Sequence, residues 1–380
     1  MHFLIERDIL IEAIQDVLKA VASKTPIPIL TGIKIVATEE GVTLTGSDSD
    51  ISIERFIPAE EDDEVHIELK RLGSLVLQAK FFAEIVKKLP KDMVEIETNE
   101  HFGTLIRSGS AQFNLNGFDP EEYPRLPQIE EENVFKISSD LLKQMIRQTV
   151  FAVSTQETRP VLTGVNWVVE AGQLSCIATD SHRLAMRTAQ IESLSPDLTF
   201  HNVVIPGKSL NELNKIIEDT TDLLEIVVTE NQILFRAKNL LFFSRLLDGN
   251  YPETTRLIPQ ESQTTIKVKT KDFLQTVDRA SLLAREGQNN VIKLIASQDK
   301  ILEISSNSPE IGKVVERLQA QEVEGEELKI SFSAKYMMDA LKAIDDDEIE
   351  IRFTGPMRPF VLHAMENQAV LQLILPVRTF

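Results

Sequence analysis

Thr179-Asp180-Ser181-His182-Arg183-Leu184, with the strand-rich run that reaches it from Arg159, decides how this chain is built, because it is a second copy. Pro28-Ile29-Leu30-Thr31-Gly32 returns as Pro160-Val161-Leu162-Thr163-Gly164, and Asp48-Ser49 returns as Asp180-Ser181. The offset is constant, since 160 minus 28 and 180 minus 48 both give 132. A single insertion would break it, so the chain is read as repeats of a unit somewhat over a hundred residues long. Later landmarks agree. Lys80-Phe81-Phe82 pairs with Lys208-Ser209-Leu210, and Tyr123-Pro124 with Tyr251-Pro252, both 128 apart (208 minus 80, 251 minus 123). A third, more diverged copy opens near Thr265 and carries Lys335-Tyr336-Met337 at the place of Lys208, with Ser306-Asn307-Ser308 where the others have Asp-Ser.

Within each copy the pattern alternates between periods. A short strand (Phe3 to Ile5; Phe135 to Ile137) leads into a helix with apolar residues at helical spacing, such as Leu10, Ala13, Ile14 and Val17, or Leu142, Met145 and Ile146. Asp8, Asp140 and Asp272 stand where N-caps are expected. Alternating strands follow (Ile33 to Ala37, Val42 to Thr45, Ile51 to Phe56, one near Leu75), then a second helix around Phe82, Ile85, Val86 and Leu89 that Pro90 stops, then more strands. Pro120 to Gln128 reads as a linker. The expected class is α+β: three similar domains, each with two helices and antiparallel sheets, over residues 1–128, 129–254 and 255–380. Each domain has the element order of two fused halves.

Bulk composition narrows the function. The 380 residues carry a formal charge of −19, which argues against holding nucleic acid by bulk electrostatics. Much of the excess acid is bunched at Glu60 to Glu64, Glu130 to Glu132, Glu322 to Glu327 and Asp345 to Glu348, as solubilising turns and linkers. No apolar run approaches the roughly 20 residues that cross a bilayer, so no membrane association is expected. The N-terminus does not read as a signal peptide. Cys176 is the only cysteine, which rules out an intrachain disulfide and points to a reducing compartment. The six histidines lack ligand spacing, so neither a metal nor another cofactor is expected.

Catalytic patterns fail one by one. Gly207-Lys208-Ser209 lacks the phosphate loop's first glycine, since Asn202 stands there. Asp48-Ser49-Asp50 lacks the glycine and glutamate of a calcium loop, having Ile53 and Ala59 instead. Asp180, Ser181 and His182 hold the residue types of a hydrolytic relay, but neighbours in an extended chain point to opposite faces. Cys176 sits in an apolar strand and reads as core. A metabolic enzyme with repeated α+β domains would need a convergent titratable set, and none is found. Cations do recur on the polar helix faces: Lys19; Lys87 and Lys88; Lys143 and Arg147; Lys208 and Lys215; Lys335 and Lys342. If equivalent helices line one surface, that surface is mildly basic inside an acidic shell. A peptide-binding scaffold that never touches DNA is the other alternative.

Ile27-Pro28-Ile29-Leu30, Arg107-Ser108-Gly109, Ala178-Thr179-Asp180-Ser181-His182-Arg183-Leu184, Leu247-Asp248-Gly249-Asn250-Tyr251-Pro252 and Leu375-Pro376-Val377-Arg378 together resemble the bacterial DNA polymerase III β subunit family, the sliding clamps, in its Gram-positive form. The likeness spans the whole chain. It implies the DNA clamp fold, a head-to-tail homodimer closing as a ring of six domains, and a non-enzymatic processivity factor. Such a ring encircles double-stranded DNA and acts in the cytoplasm at the nucleoid and replisome. It further implies a cleft that takes peptides from the replicative DNA polymerase, the clamp loader, repair polymerases and mismatch-repair proteins. The matching positions are Leu162, Thr179, His182, Arg183, Leu184, Pro252, Leu257, Met357, Pro359, Leu375, Pro376, Val377 and Arg378. This chain departs with Ser181 where glycine is common, Val377 where methionine is common, and Thr379-Phe380 at the end. DNA-facing positions implied are Lys24, Gln156, Lys208 and Arg256, with Pro160 and Val161 replacing aromatic residues of some members. The seam implied pairs Phe113 and Leu115 with Leu282 and Leu283 of the next subunit.

Overall fold

The computed structural model describes residues 1–380 except 23, 62, 127–132, 194, 196, 285–289 and 379–380. The acidic run at 130–132, the boundary at 128 and the terminal Thr379-Phe380 therefore lie outside the described residues. Among those described, the helices are α1 (Arg7–Leu18), α2 (Ala79–Lys88), α3 (Ser139–Thr149), α4 (Gly207–Ile216), α5 (Thr270–Ala284) and α6 (Ala334–Ala343). Each is entered from a strand and followed by at least three, with Glu60–Glu61, Glu64–Val65, Ile67–Arg71, Glu192–Ser193 and Glu322–Gly325 as additions to that order. The order strand, helix, three strands thus occurs twice per repeat, as the half-unit reading expects. Strand Ile67–Arg71, which pairs with His2–Glu6, has no counterpart in the sequence reading; its exposed, charged face hides the alternation.

The repeat is legible in backbone detail. Pro28–Thr31 and Pro160–Thr163 are both 3₁₀ turns, in which Thr31 and Thr163 each donate their hydroxyl to the proline carbonyl three residues back, at 2.7 Å. Ser49 and Ser181 both take positive φ, 80° and 75°. Gly32 and Gly164 end the matched segments for one steric reason. A Cβ on Gly32 would lie 2.5 Å from Val76 Cγ1, and one on Gly164 2.7 Å from Val204 Cγ1. Only a bare Cα lets the two strands approach there.

The expected N-caps are not caps. Asp8 lies inside the first turn of α1, paired with Arg7 at 3.0 Å; Asp140 and Asp272 likewise sit in first turns. The strands run straight into these helices, leaving no loop residue free to cap. Backbone carbonyls from elsewhere satisfy the first amides instead: Asp92 O accepts from Arg7 N (2.6 Å), Asp222 O from Ser139 N (2.9 Å) and Asp347 O from Thr270 N (2.8 Å).

The chain forms two compact units that cut across the repeats: Met1–Ser139 with Lys215–Leu246, and Asp140–Asn214 with Leu247–Phe380. In the first, an antiparallel sheet runs through Asn133–Ser138, Leu223–Val228, Gln232–Ala237, Leu240–Arg245, Ile51–Pro58, Gly41–Ser47, Gly32–Ala37 and Gly73–Gln78. A smaller sheet ends on the edge strand Ala111–Asn116. In the second unit the equivalent sheet joins Arg183–Gln190 to Val370–Ile374, so strands of the second and third repeats share one ladder. Its helix-facing side enters a core with Phe273 and Val277 of α5 and Met337 and Leu341 of α6, against Ile351, Phe360, Leu362 and Ile374. A second sheet there ends on the edge strand Gly312–Gln319.

Candidate peptide-binding site

The side of the second unit's sheet that faces away from its helices is apolar too. Residues directly opposite each other in antiparallel strands share a face. One row is Ile177, Met186, Leu371 and His363; the next is Thr179, Leu184, Leu373 and Val361. Ile177, Leu184, Val361, Leu371 and Leu373 are buried together, with Met186, Tyr251 and Ile258 packed on them. Tyr251 and Ile258 come from the connector that follows Leu247, which therefore covers part of this floor; the floor and its margins are the candidate groove. The matching strand in the first unit is polar on that face, although the strand beside it still contributes Leu241 and Phe243. Ser52 and Glu54 stand where Leu184 and Met186 stand (52 and 54 plus 132), Ser52 Oγ lies 2.8 Å from Ser47 Oγ, and Glu54 accepts from Thr45 Oγ1. Burial pushes the Glu54 carboxyl up, partly offset by Thr45 and Lys34. Comparing these two residue pairs is the sequence signal that could have located the groove.

The turn beside the groove is tightly made. Asp180 Oδ1 accepts from His182 N (2.9 Å) and Arg183 N (3.1 Å), while Thr179 Oγ1 donates to Arg183 O (2.6 Å) and accepts from Ser181 N. Asp180-Ser181-His182 is thus a closed turn and not an extended run, so the geometric ground for rejecting a hydrolytic relay is replaced by another. The Asp180 carboxylate is engaged by Arg183 Nε at 3.1 Å and the turn amides, and no base–nucleophile bond links Ser181 to His182 among the contacts present. Tyr251 Oη accepts from Thr179 N at 2.9 Å, and burial raises its phenol pKa. Its twin Tyr123 is buried in the first unit, accepting from Ser47, at the position equivalent to Thr179. The C-terminal segment is pinned at two points: Leu375 N donates to His182 O (2.9 Å) and Val377 N to Ser331 O (2.8 Å).

The expected cleft residues divide by exposure. Leu162, Thr179, Arg183 and Leu184 are buried; Pro359, Leu375, Pro376 and Val377 are half-buried; His182, Pro252, Leu257, Met357 and Arg378 are exposed. Leu257 at 53% and Met357 at 50% exposure are large apolar side chains left open to solvent, Leu257 next in sequence to the floor-packed Ile258. Sequence reasoning missed Tyr336 on α6, whose ring stacks with His182 at 6.4 Å between centroids, and the connector residue Ile258.

The implied DNA-facing residues are all exposed. Lys24 and Gln156 are repeat-equivalent (156 minus 24 gives 132), each in the turn between the first helix and the proline-led 3₁₀ segment. Lys208 opens α4, and Arg256 pairs with Glu253 at 3.1 Å. The implied seam residues lie at sheet edges or next to one. Phe113 (exposed) and Leu115 (half-buried) are on Ala111–Asn116, and Leu282 (exposed) and Leu283 (half-buried) on α5. Sequence reasoning missed the second edge, Gly312–Gln319, where Val315 and the preceding Ile311 are exposed at 44% and 57%.

Catalytic chemistry has no seat among the described residues. They contain no group of three metal-ligating side chains, and none of their helices is long and apolar enough to cross a membrane. Cys176 is fully buried in its strand, its thiol pushed up by desolvation. The hollow bounded by Met1, Arg71, Glu97 and Asn116 holds an Arg71–Glu97 pair at 3.9 Å and no nucleophile with a base.

Three copies of a two-helix, antiparallel-sheet unit, with an apolar outer sheet face and no reactive centre among the described residues, define a replication accessory protein of the clamp class. Models of the DNA polymerase III beta subunit match along the chain, the N-terminal domain at residues 1–127, the central domain at 136–253 and the C-terminal domain at 255–378, and the chain belongs to this family of sliding clamps. It is 63% identical over 380 residues to the beta sliding clamp of Bacillus subtilis (strain 168) and 60% to that of Halalkalibacterium halodurans, with 100% of both chains covered in each case. The crystal structure of the Bacillus subtilis sliding clamp superimposes with a TM-score of 0.97 over 100% of both chains. Its role is that of a non-catalytic processivity factor in DNA replication.

Proposed function

We propose that two copies of this clamp close head to tail into a ring of six domains, with domains at 1–128, 129–254 and 255–380, around double-stranded DNA. Two open sheet edges support the closure. Ala111–Asn116 and Gly312–Gln319 each leave a row of backbone groups unpaired and carry exposed apolar side chains, which natural edge strands avoid unless they are covered. Head-to-tail contacts that close by rotation use two different surfaces per subunit, as these edges are. Lys24, Gln156, Lys208 and Arg256 face the duplex in this reading. The groove receives peptides of the replicative polymerase, the clamp loader, repair polymerases and mismatch-repair proteins in turn, and the ring works in the cytoplasm at the replisome.

The observation that carries the reading is the apolar outer floor of Ile177, Leu184, Val361, Leu371 and Leu373, together with exposed Leu257 and Met357. Holding DNA by topology resolves the conflict with a charge of −19. Direct binding through about 6–10 phosphates would lose roughly three to five decades of affinity between 50 and 200 mM salt. An encircling ring has no such dependence. Once loaded on nicked circular duplex, the protein stays through a salt wash and leaves when one restriction cut linearises the circle. Equal loss from circular and linear DNA refutes encirclement.

A further inference from the structure

We propose that Asp339 is a positioning residue for the peptide groove, acting through Arg183, and that Arg183 itself locks the turn and does not meet the peptide. The proposal rests on the groove reading above. Arg183 begins the strand whose next residue, Leu184, belongs to the groove floor. Side chains alternate along a strand, so Arg183 points to the opposite, helix-bearing side. There its guanidinium is consumed. Nε donates to Asp180 Oδ2 (3.1 Å), Nη1 to Asp339 Oδ2 (2.7 Å) and Nη2 to the Phe151 carbonyl (2.7 Å). The group lies 4.5 Å over the Tyr336 ring and 5.3 Å over the Phe151 ring, and the side chain is 8% exposed. No ligand reaches this cation without dismantling three charge-assisted bonds and two ring contacts.

Its position still governs the groove. Asp339 sits on α6, and the guanidinium ties that helix to the Asp180 turn. The same turn carries His182, whose ring stacks on Tyr336 of α6 and whose carbonyl holds Leu375 N. Through this chain of contacts Asp339 sets the distance between the hairpin wall of the groove and its Leu375–Arg378 wall. Removing Asp339 leaves Asp180 as the guanidinium's one carboxylate partner and cuts its ion-pair tie to α6, so Nη1, in a buried slot, loses its charged acceptor.

The test titrates the parent, Asp339→Ala, Asp339→Asn, Leu257→Ala and Met357→Ala rings with one fluorescent peptide carrying glutamine, leucine and a terminal aromatic. Asp339→Ala is expected to raise Kd about tenfold, the scale of one charge-assisted hydrogen bond, and Asp339→Asn, which keeps an acceptor oxygen, by less. Amide exchange at Leu375 should quicken in Asp339→Ala, while dimer mass and retention on circular DNA stay with the parent. Asp339→Asn keeps the question open to measurement if the alanine variant folds poorly. A lowered melting temperature with parental Kd and parental Leu375 exchange makes Asp339 a stabiliser only and overturns the proposal. If Leu257→Ala and Met357→Ala also leave Kd unchanged, the groove reading falls and this proposal with it. If they weaken binding and the Asp339 variants do not, this proposal alone falls.

Discussion

Replacing Tyr251 by Phe removes one oxygen from the groove's cover and nothing else. The ring stays packed on Ile177, Leu184 and Leu373, so apolar burial is kept. What is lost is the acceptor 2.9 Å from Thr179 N, and Thr179 is 6% exposed. A buried amide left without a partner costs about 1–3 kcal/mol. Taking about 1–2 kcal/mol, since the site lies near a turn that water approaches, local opening becomes about 5- to 30-fold more frequent. The chain contains several domains, so a global unfolding midpoint would mix their contributions. Native-state hydrogen exchange of the Thr179 amide reads the bond directly. Its protection should fall by that factor, with the Ser181 amide following because it donates to Thr179 Oγ1. Tyr123→Phe is a parallel test: its hydroxyl meets Ser47 in the equivalent place and also donates to Gly32 O and Thr45 O at 3.4 Å, so the Ser47 amide should lose protection too. Unchanged protection of Thr179 in Tyr251→Phe, with Ser47 unchanged in Tyr123→Phe, would refute the reasoning that these paired tyrosines latch the hairpins.

Leu115→Asp or Leu282→Asp should give monomers by sedimentation, because each puts a charge into an apolar contact of the proposed seam; parental sedimentation of both would move the seam elsewhere. Met357→Ala should weaken peptide binding by about 1–2 kcal/mol, since this half-exposed side chain has area left to bury on binding. Leu184→Ala behaves differently: at 2% exposure it has almost nothing left to bury, so it should cost about 2–5 kcal/mol of stability first, read by denaturant melts, and affinity second. His363, in the floor row with Leu371, is held below the ordinary 6.5 chiefly by burial and then by Arg352, against an opposing pull from Glu350. The unfolded chain therefore takes up this proton more readily, so stability should fall as pH drops below about 6.5 and level off once the folded-state value is passed. His363→Gln should flatten that slope in pH-dependent melts, and an identical slope would assign it to other groups.

The constant offset of 132, with the strand–helix–strand order inside each copy, was sufficient to establish the repeat, the α+β class and the absence of catalytic motifs, because periodicity and spacing are local properties of a sequence. They also carried the family, since Thr179 to Leu184 and Leu247 to Pro252 keep their residues in order. Local spacing could not say which carbonyls meet the helix amides. Asp92, Asp222 and Asp347 lie far along the chain from the helices they satisfy, so the nearby Asp8, Asp140 and Asp272 looked like caps. Nor could it separate the residues of one motif by role. Arg183 and Leu184 are neighbours with opposite destinies, one spent on Asp180 and Asp339 beneath the sheet, the other flooring the groove. That division arises only when Arg183–Gln190 pairs with Val370–Ile374, some 190 residues away (374 minus 183 gives 191), and gives the sheet two faces. Long-range strand pairing decides what each alternating side chain meets, and so only the tertiary structure turned a recognisable motif into a site.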